Sequence, residues 1–249
     1  MSDPYPLELL GGITQELTRA GYSAVLTSMQ LVHTAPVQAA DGMILLGQGL
    51  HGAAVREAKA TGSPLVVWGA PDLDSHCIVV GSDNRKGGNG VAERFLSQGR
   101  ERLLFLGDTN HAEIDARRAG FVEGLGERGK SVRCIIPKAF TFEAGFASIS
   151  ALLDEGAPAF DGIFAASDLL AMGAIRALTE KNLSVPNDVS VIGYDDTPGA
   201  ASFVPALTSV HQYLHNGGTL LAKKILALIN GENVQSEMLP TTLVIRQTC

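Results

Sequence analysis

The chain has no apolar run near the ~18 residues that a membrane-spanning helix needs. It is also poor in basic residues, because 19 Lys and Arg stand against 26 Asp and Glu and leave a net charge of −7. An acidic chain repels phosphate backbones, so we expect it to bind nucleic acid poorly by itself. The three cysteines cannot all pair, and their spacing fits no metal motif, which indicates a reduced protein of the cytoplasm. The start, MSDPYPLELL, lacks the basic and apolar segments of an export signal.

Several signatures of enzymes and metal sites are absent as well. No Ser-His-Asp or Cys-His grouping and no GxSxG motif stands out. The segment 87–90 is glycine-rich, but it lacks the third glycine of GxGxxG and the GK[ST] ending of a phosphate-binding loop. His211 and His215 are four residues apart with no third ligand at a recognisable spacing. We therefore predict no catalytic residue, no metal and no cofactor.

Short apolar runs alternate with helical patterns, and 45% of the residues are hydrophobic. We predict strands over 24–27, 42–46, 65–68, 78–81, 103–107, 132–136, 163–166, 189–193 and 242–246. We predict helices over 7–20, 52–61, 87–98, 115–128, 143–154, 168–181 and 217–230. The apolar runs are continuous rather than alternating, which is typical of parallel strands covered on both faces. The pattern predicts an α/β fold in which crossover helices join parallel strands.

The densest set of motifs lies between Asp161 and Arg246. It reads DGIFAASDLLAMGAIRAL, then VPNDVSVIGYDD, PALTSVHQ and LPTTLVIR. These motifs resemble the effector-binding core of the lactose-repressor (LacI) family of bacterial transcriptional regulators. The resemblance covers about Asp3 to Thr248 and is less specific towards the N-terminus.

The resemblance implies a fold of two lobes, each a parallel sheet with helices on both faces, of the periplasmic-binding-protein-like type I. It places residues 1–82 and 212–239 in the N-terminal lobe, and residues 83–211 and 240–249 in the C-terminal lobe, with several chain crossovers at a hinge. It also implies that a small-molecule effector binds in the cleft between the lobes. A homodimer is expected, and operator DNA is expected to bind only through an N-terminal helix-turn-helix head that this chain does not contain.

The resembled family begins this region with an apolar strand just before the segment that matches residues 3–6. A central parallel strand cannot be dropped without leaving its two neighbours with unpaired backbone groups. The connection from Gln30 to Asp41 is also short for a crossover helix. We therefore expect that the natural polypeptide has further residues before Met1, and the short connection suggests others between Gln30 and Leu31.

Two charged residues are the main candidates for ligand contact. Asp195 follows a strand pattern, and a carboxylate there can accept hydrogen bonds from adjacent hydroxyls of a polyol or sugar. The alternative is that Asp195 and Asp196 cap a turn. Arg117 can clamp a ligand with its planar fork, whereas the alternative is an exposed helix arginine, the role we give to Arg118. The resemblance assigns ligand contact to Asp195 and Arg117, and leaves the turn to Asp196.

Five further candidates depend on the resemblance more strongly. Phe140 can stack on the apolar face of a ring, and Tyr5, with Asp3 beside it, is the matching aromatic from the other lobe. The amide of Gln212 can donate and accept towards the same ligand or can hold the hinge. Ser167 stands where sugar-binding relatives often carry Asn, and its alternative role is a helix N-cap.

The two residues after Trp68 differ from those typical of the resembled family. Sugar-binding relatives often have an acid followed by arginine at the positions of Gly69 and Ala70. The loss of these two polar contacts favours an effector that is larger, flatter or less hydroxylated than a simple sugar, with Trp68 beside it.

Two other classes of protein stay open at this point. A periplasmic solute-binding protein of an ABC importer shares the two-lobed fold, although the motifs VPNDVSVIGYDD and LPTTLVIRQT favour the regulator. An α/β enzyme with Asp195 as acid or base lacks a nucleophile–base pair and a cofactor motif, so it ranks last.

Overall fold

The computed structural model describes residues 5–31, 33–46, 52–71, 77–156 and 159–249. The chain forms two compact units. The large unit contains Asp83–Gln212 and Pro240–Cys249, and the small unit contains Tyr5–Ser82 and Tyr213–Leu239. Both units combine helices with sheets of mainly parallel strands, which confirms the predicted α/β class.

The helices are, in chain order, α1 (Tyr5–Arg19), α2 (Ala35–Gln38), α3 (Gly52–Ala60), α4 (Asn84–Ser97), α5 (Ala112–Leu125), α6 (Phe142–Asp154), α7 (Asp168–Glu180), α8 (Pro198–Ser202) and α9 (Leu214–Ile229). The strands are β1 (Met43–Leu46), β2 (Leu65–Trp68), β3 (Ile78–Ser82), β4 (Leu103–Leu106), β5 (Arg133–Ile135), β6 (Gly162–Ala165), β7 (Ser190–Asp195), β8 (Thr208–His211), β9 (Glu237–Leu239) and β10 (Thr242–Val244). Two short 3-10 helices cover Met29–Leu31 and Gly126–Ser131.

The small unit is a four-stranded parallel sheet in the order β1-β2-β3-β9. Successive residues of a strand face opposite sides of the sheet, so each side has its own core. Val66 and Trp68 pack with Leu9 of α1 and Leu221 of α9 on one side. Val67 packs with residues of α3 on the other side. The apolar run LVVW is therefore buried on both faces, as expected of a central parallel strand.

The large unit is a six-stranded sheet in the order β10-β8-β7-β6-β4-β5. Only β10 runs antiparallel to its neighbour. The core contains edge-to-face aromatic contacts, among them Phe164 with Phe105 and with Phe121. Such pairs stabilise a core by about 0.5–1.5 kcal/mol beyond the area they bury. Because β4, β6, β7 and β8 are parallel, their carboxyl ends lie along the same edge of this sheet.

Glycines allow α4 and α5 to approach each other closely. A Cβ on Gly88 would lie 2.8 Å from the amide nitrogen of Phe121 and closer still to the carbonyl oxygen of Arg117. A Cβ on Gly120 would lie 2.7 Å from the carbonyl carbon of Arg85. These neighbours are backbone atoms, which cannot move aside as a flexible side chain can. Both positions therefore require glycine, and the contact fixes where α5 presents Arg117.

The structure corrects the first strand prediction and several element boundaries. Residues 22–28 form no regular element, and Val25 and Leu26 within them are 83% and 69% exposed. Residues 24–27 form no ladder with any other described residue, and a strand needs a neighbour to satisfy its backbone groups. The strands β8 and β9 were not predicted, while α4, α5 and α9 each begin three residues earlier than expected. Within the described part of the chain, no helix is both long and apolar enough to cross a bilayer.

Candidate functional site

The carboxyl edge of the large sheet collects most of the buried polar side chains of the large unit. Asp195 ends β7, Gln212 follows β8, and Ser167 and Asp168 follow β6. Asn84 and Arg117 come from α4 and α5. All six side chains are buried, including those that carry a charge. Buried charges need partners, so the contacts among these residues are the first evidence for a site.

The guanidinium of Arg117 is held from three sides. The residue is 2% exposed, unlike the exposed helix arginine considered as its alternative. Its Nε donates to Asn84 Oδ1 at 2.8 Å, and its Nη1 donates to the carbonyl oxygen of Ala166 at 2.6 Å. Its Cζ lies 3.7 Å from the centre of the Tyr194 ring, a cation–π contact. These contacts fix the plane of the guanidinium before any ligand arrives.

Asp195 lies next to Arg117 and Gln212. Gln212 Nε2 donates to Asp195 Oδ1 at 2.5 Å, and Arg117 Nη1 lies 3.7 Å from the same oxygen. Asp195 is 5% exposed. The structure therefore brings together three of the residues that the sequence nominated. A carboxylate can accept more than one hydrogen bond at a time, so this arrangement suits a ligand that offers hydroxyl donors.

Asp196 has a separate set of partners. His211 Nδ1 lies 3.0 Å from its Oδ2, and Arg246 Nη1 lies 2.7 Å from its Oδ1. Arg246 also donates to the carbonyl oxygen of Leu207 at 2.8 Å. Asp196 thus connects the end of β7 to β8 and to the segment after β10. This arrangement agrees with the structural role expected of Asp196.

Asp168, the first residue of α7, is a buried carboxylate that the sequence did not nominate as a site residue. Its Oδ2 accepts from the backbone nitrogen and the hydroxyl of Thr197, at 2.7 and 3.0 Å, and its Oδ1 accepts from the Ser209 hydroxyl at 2.5 Å. Burial raises the pKa of Asp168 to about 7. The charge of Asp196 raises this pKa further, whereas the hydrogen bonds from Ser209 and Thr197 lower it.

Tyr194 forms the floor beneath Arg117. The residue is fully buried, and burial raises the pKa of its phenol well above the usual range, with the charge of Arg117 acting in the opposite direction. A Cβ on Gly87 would lie 3.1 Å from Tyr194 Cζ and closer still to its hydroxyl oxygen. Gly87 and Gly88 therefore serve close packing around Tyr194 and Arg117. This packing explains the glycine-rich segment without a phosphate ligand.

Phe140 and Ser167 lie near the same sheet edge. Phe140 is half-buried, and its ring meets the His111 ring edge-on with the centres 5.2 Å apart. His111 immediately precedes α5, the helix that carries Arg117, and no sequence pattern had nominated it. Ser167 is the N-cap of α7, where its hydroxyl accepts from the backbone nitrogen of Leu170 at 3.4 Å. Ligand contact by Phe140 and Ser167 stays a prediction.

The remaining candidates belong to the small unit or lie outside the described residues. Trp68 is 2% exposed and packs in the small-unit core, where a Cβ on Gly217 would lie 2.5 Å from its ring. This placement accounts for Trp68 as a core residue, and its contact with a ligand stays a prediction. Tyr5 is the first residue of α1, and its contact with a ligand stays a prediction. Asp3 lies outside the described residues.

Comparisons with known proteins give consistent results. A family model described as the periplasmic binding protein-like domain matches residues 92–249, which is more than half of the chain. The HTH-type transcriptional regulator CelR of Thermobifida fusca is 28% identical over 261 residues, covering 99% of this chain and 76% of the relative. A LacI family transcriptional regulator from Enterococcus faecium with bound ribose has a TM-score of 0.89 at 25% identity, covering 100% of this chain and 95% of that one. The complex of CelR with cellobiose also has a TM-score of 0.89, at 28% identity, covering 100% and 80%.

Proposed function

Because the chain belongs to the periplasmic binding protein-like domain family, we propose that it is the effector-sensing and dimerisation core of a LacI-type transcriptional regulator. The observation that carries this proposal is the buried group of Arg117, Asp195 and Gln212 at the carboxyl edge of the large sheet. Ligands of open α/β sheets bind at such edges. The relatives are transcriptional regulators, so the importer component considered above is not favoured.

The proposed effector is a neutral molecule that carries several hydroxyl groups and, because Gly69 and Ala70 offer no charged contacts, is larger than a simple sugar. Arg117 has Asp195 at 3.7 Å, and this nearby carboxylate balances the charge of the guanidinium. An anionic ligand would add a second negative charge beside Asp195 in a buried setting, which is costly. Hydroxyl groups can donate to Asp195 and accept from Arg117 at once. Ribose and cellobiose, which are bound in the two structures named above, are neutral polyols and support this ligand class.

The proposed core senses the effector and relays its presence without doing chemistry on it. In this proposal the effector biases a two-state equilibrium of a homodimer in the cytoplasm, and a separate helix-turn-helix head carries the contact with operator DNA. The chain's net charge of −7 supports the assignment of DNA contact to a separate head, because the core by itself repels DNA.

The proposal is tested by a thermal-shift screen with neutral sugars, each paired with an anionic counterpart such as its uronate or its phosphate. A ligand present at 100 times its Kd stabilises the folded chain by about 2.7 kcal/mol. We expect a neutral sugar to raise the melting temperature and its anionic counterpart to have little effect. Arg117→Ala and Asp195→Ala should abolish the shift.

Arg118→Ala is the matched control, because Arg118 neighbours Arg117 on α5. Contrary to the exposed position expected for it, Arg118 is half-buried and interacts with Cys134. This variant should keep the full shift. A shift that persists in both Arg117→Ala and Asp195→Ala would remove these residues from the site. A shift seen only with the anionic counterparts would refute the proposed ligand class.

A further inference from the structure

Two consecutive residues at the end of β7 have a backbone conformation that side chains disfavour. Asp195 has a φ of 104° and Asp196 a φ of 52°. Positive φ values are uncommon for residues other than glycine, and Asp195 lies beyond even the small left-handed region that Asp and Asn tolerate. Such a conformation persists only where surrounding contacts hold it in place. The question is therefore which residues hold this turn.

A network centred on Asp168 binds the two backbone amides that follow Asp195. Thr197 N donates to Asp168 Oδ2 at 2.7 Å, and Asp196 N donates to the Ser209 hydroxyl at 3.1 Å. The Ser209 hydroxyl in turn donates to Asp168 Oδ1 at 2.5 Å. Asp168 and Ser209 are completely buried, so water does not compete for these bonds.

The local sequence leaves room for this network. A Cβ on Gly193 would overlap Asp168 Oδ1, so only glycine at this position lets the carboxylate lie against β7. Ser209 is paired with Gly193 in the ladder between β7 and β8, which brings its hydroxyl to the same place. Asp168 is the first residue of α7, directly after the N-cap Ser167. Three elements, α7, β7 and β8, thus meet at one carboxylate.

We propose that Asp168 and Ser209 are positioning residues that hold Asp195 and Asp196 in their positive-φ conformation and so direct the Asp195 carboxylate at Gln212 and Arg117. Asp168 and Ser209 act through the backbone of the turn, by the hydrogen bonds from Thr197 N and Asp196 N. The inference depends on the proposed function only for the use of Asp195 in binding, and the turn itself can be tested without a ligand.

The test compares Ser209→Ala in two backgrounds, Asp195→Asn and Asp195→Gly. Both backgrounds remove the carboxylate at position 195, but glycine adopts a positive φ without strain. If the network holds a strained turn, the turn can relax when Ser209→Ala removes a bond, and the strain that is released offsets part of the cost. In the Asp195→Gly background there is no strain at position 195 to release, so the full cost of the lost bond remains. We expect the loss of melting temperature caused by Ser209→Ala to be about twofold larger or more in the Asp195→Gly background than in the Asp195→Asn background, a coupling that a double-mutant cycle isolates.

Two further measurements make the test specific. Asn182 also has a positive φ, of 59°, and lies in the turn after α7, so Asn182→Gly relieves a similar conformation outside the network. The cost of Ser209→Ala should be unchanged in this background. Hydrogen exchange of the amides of Asp196 and Thr197 should speed up in Ser209→Ala, while exchange in α6 stays as in the unsubstituted chain.

The same comparison can be made with Asp168→Asn in place of Ser209→Ala. If Asp168→Asn does not fold, the comparison with Ser209→Ala tests the proposal by itself. Equal losses of melting temperature in the Asp195→Asn and Asp195→Gly backgrounds, including no loss in either, or a smaller loss in the Asp195→Gly background, would overturn the proposal. All of these readings are made without a sugar. A screen in which no sugar raises the melting temperature would therefore count against the proposed function. The measurements on the turn would still test the positioning role of Asp168 and Ser209.

Discussion

Adding one methyl group at two glycines of α4 should have opposite effects on stability. Gly88 faces α5, where a Cβ would lie under 3.0 Å from backbone atoms, an approach that real Cβ atoms essentially never show. Gly90, two residues later on the same helix, has no atom within 4 Å of the position its Cβ would take. The pair therefore separates the effect of helix packing from the effect of helix propensity.

The magnitudes follow from these surroundings. Gly90→Ala should raise the free energy of unfolding by about 0.5–1 kcal/mol, because Ala is the better helix former. Gly88→Ala has the same propensity gain, but overpacking costs about 1–3 kcal/mol. Separation of α4 from α5 also strains the bond between Asn84 and Arg117, and hydrogen bonds to charged groups contribute about 1.5–3 kcal/mol. We expect Gly88→Ala to lower the free energy of unfolding by about 2 kcal/mol.

Chemical denaturation followed by far-UV circular dichroism measures the difference, and hydrogen exchange of peptides from α4 and α5 localises it. The single tryptophan, Trp68, lies in the small unit, so its fluorescence reports on that unit separately. We expect faster exchange in α4 and α5 of Gly88→Ala and slower exchange in α4 of Gly90→Ala. Equal denaturation midpoints for the two variants would refute the packing argument.

Substitutions at three other positions give distinct outcomes. The raised pKa of Asp168 means that the folded chain binds the proton more tightly than the unfolded chain, so stability is lost as the pH rises from about 4 to about 7, by up to about 4 kcal/mol. Asp168→Asn should therefore lack this loss, so the difference in denaturation midpoint between the variant and the unsubstituted chain should change between about pH 5 and about pH 8. A difference that stays the same at both pH values would contradict the reasoning. Ser167→Ala should lower the free energy of unfolding by about 1 kcal/mol, because alanine removes the N-cap of α7. Ser167→Gly should lower it by only a few tenths of a kcal/mol, because glycine is tolerated at an N-cap. Calorimetry can measure both changes. Gly217→Ala should destabilise the small unit by about 1–3 kcal/mol and shift the emission of Trp68, whose ring occupies the space that the new methyl group needs; an unshifted spectrum with unchanged stability would contradict the contact.

The sequence predicted the parts of the site that depend on strand order alone. Continuous apolar runs became buried parallel strands, and polar residues directly after these runs came to lie along one edge of the large sheet. Asp195 and Ser167 could be placed together in this way, because parallel strands end on the same side. Gln212 follows β8, which was not predicted as a strand, so its place came from the resemblance alone. Arg117 followed from a resemblance in sequence and from its place on the helix after β4.

The contacts that organise the site were beyond the sequence. Asp168 and Ser209 are 41 residues apart, and only the pairing of β7 with β8 brings Ser209 to the carboxylate. The positive φ of Asp195 has no local signal, because no glycine marks the position. The strand expected over 24–27 failed for a related reason, since apolar composition favours a strand but cannot supply the neighbour that a strand requires.

Thr248 is hydrogen-bonded to β7 of the large sheet. The backbone nitrogen of Val191 donates to the carbonyl oxygen of Thr248, and the Thr248 hydroxyl donates back to Val191 at 2.7 Å. Between β8 and Thr248 the chain first builds α9 and β9 of the small unit. On the ribosome, the large sheet can therefore be completed only after the residues up to Thr248 have emerged, whereas the residues of the small unit, up to Leu239, are available earlier.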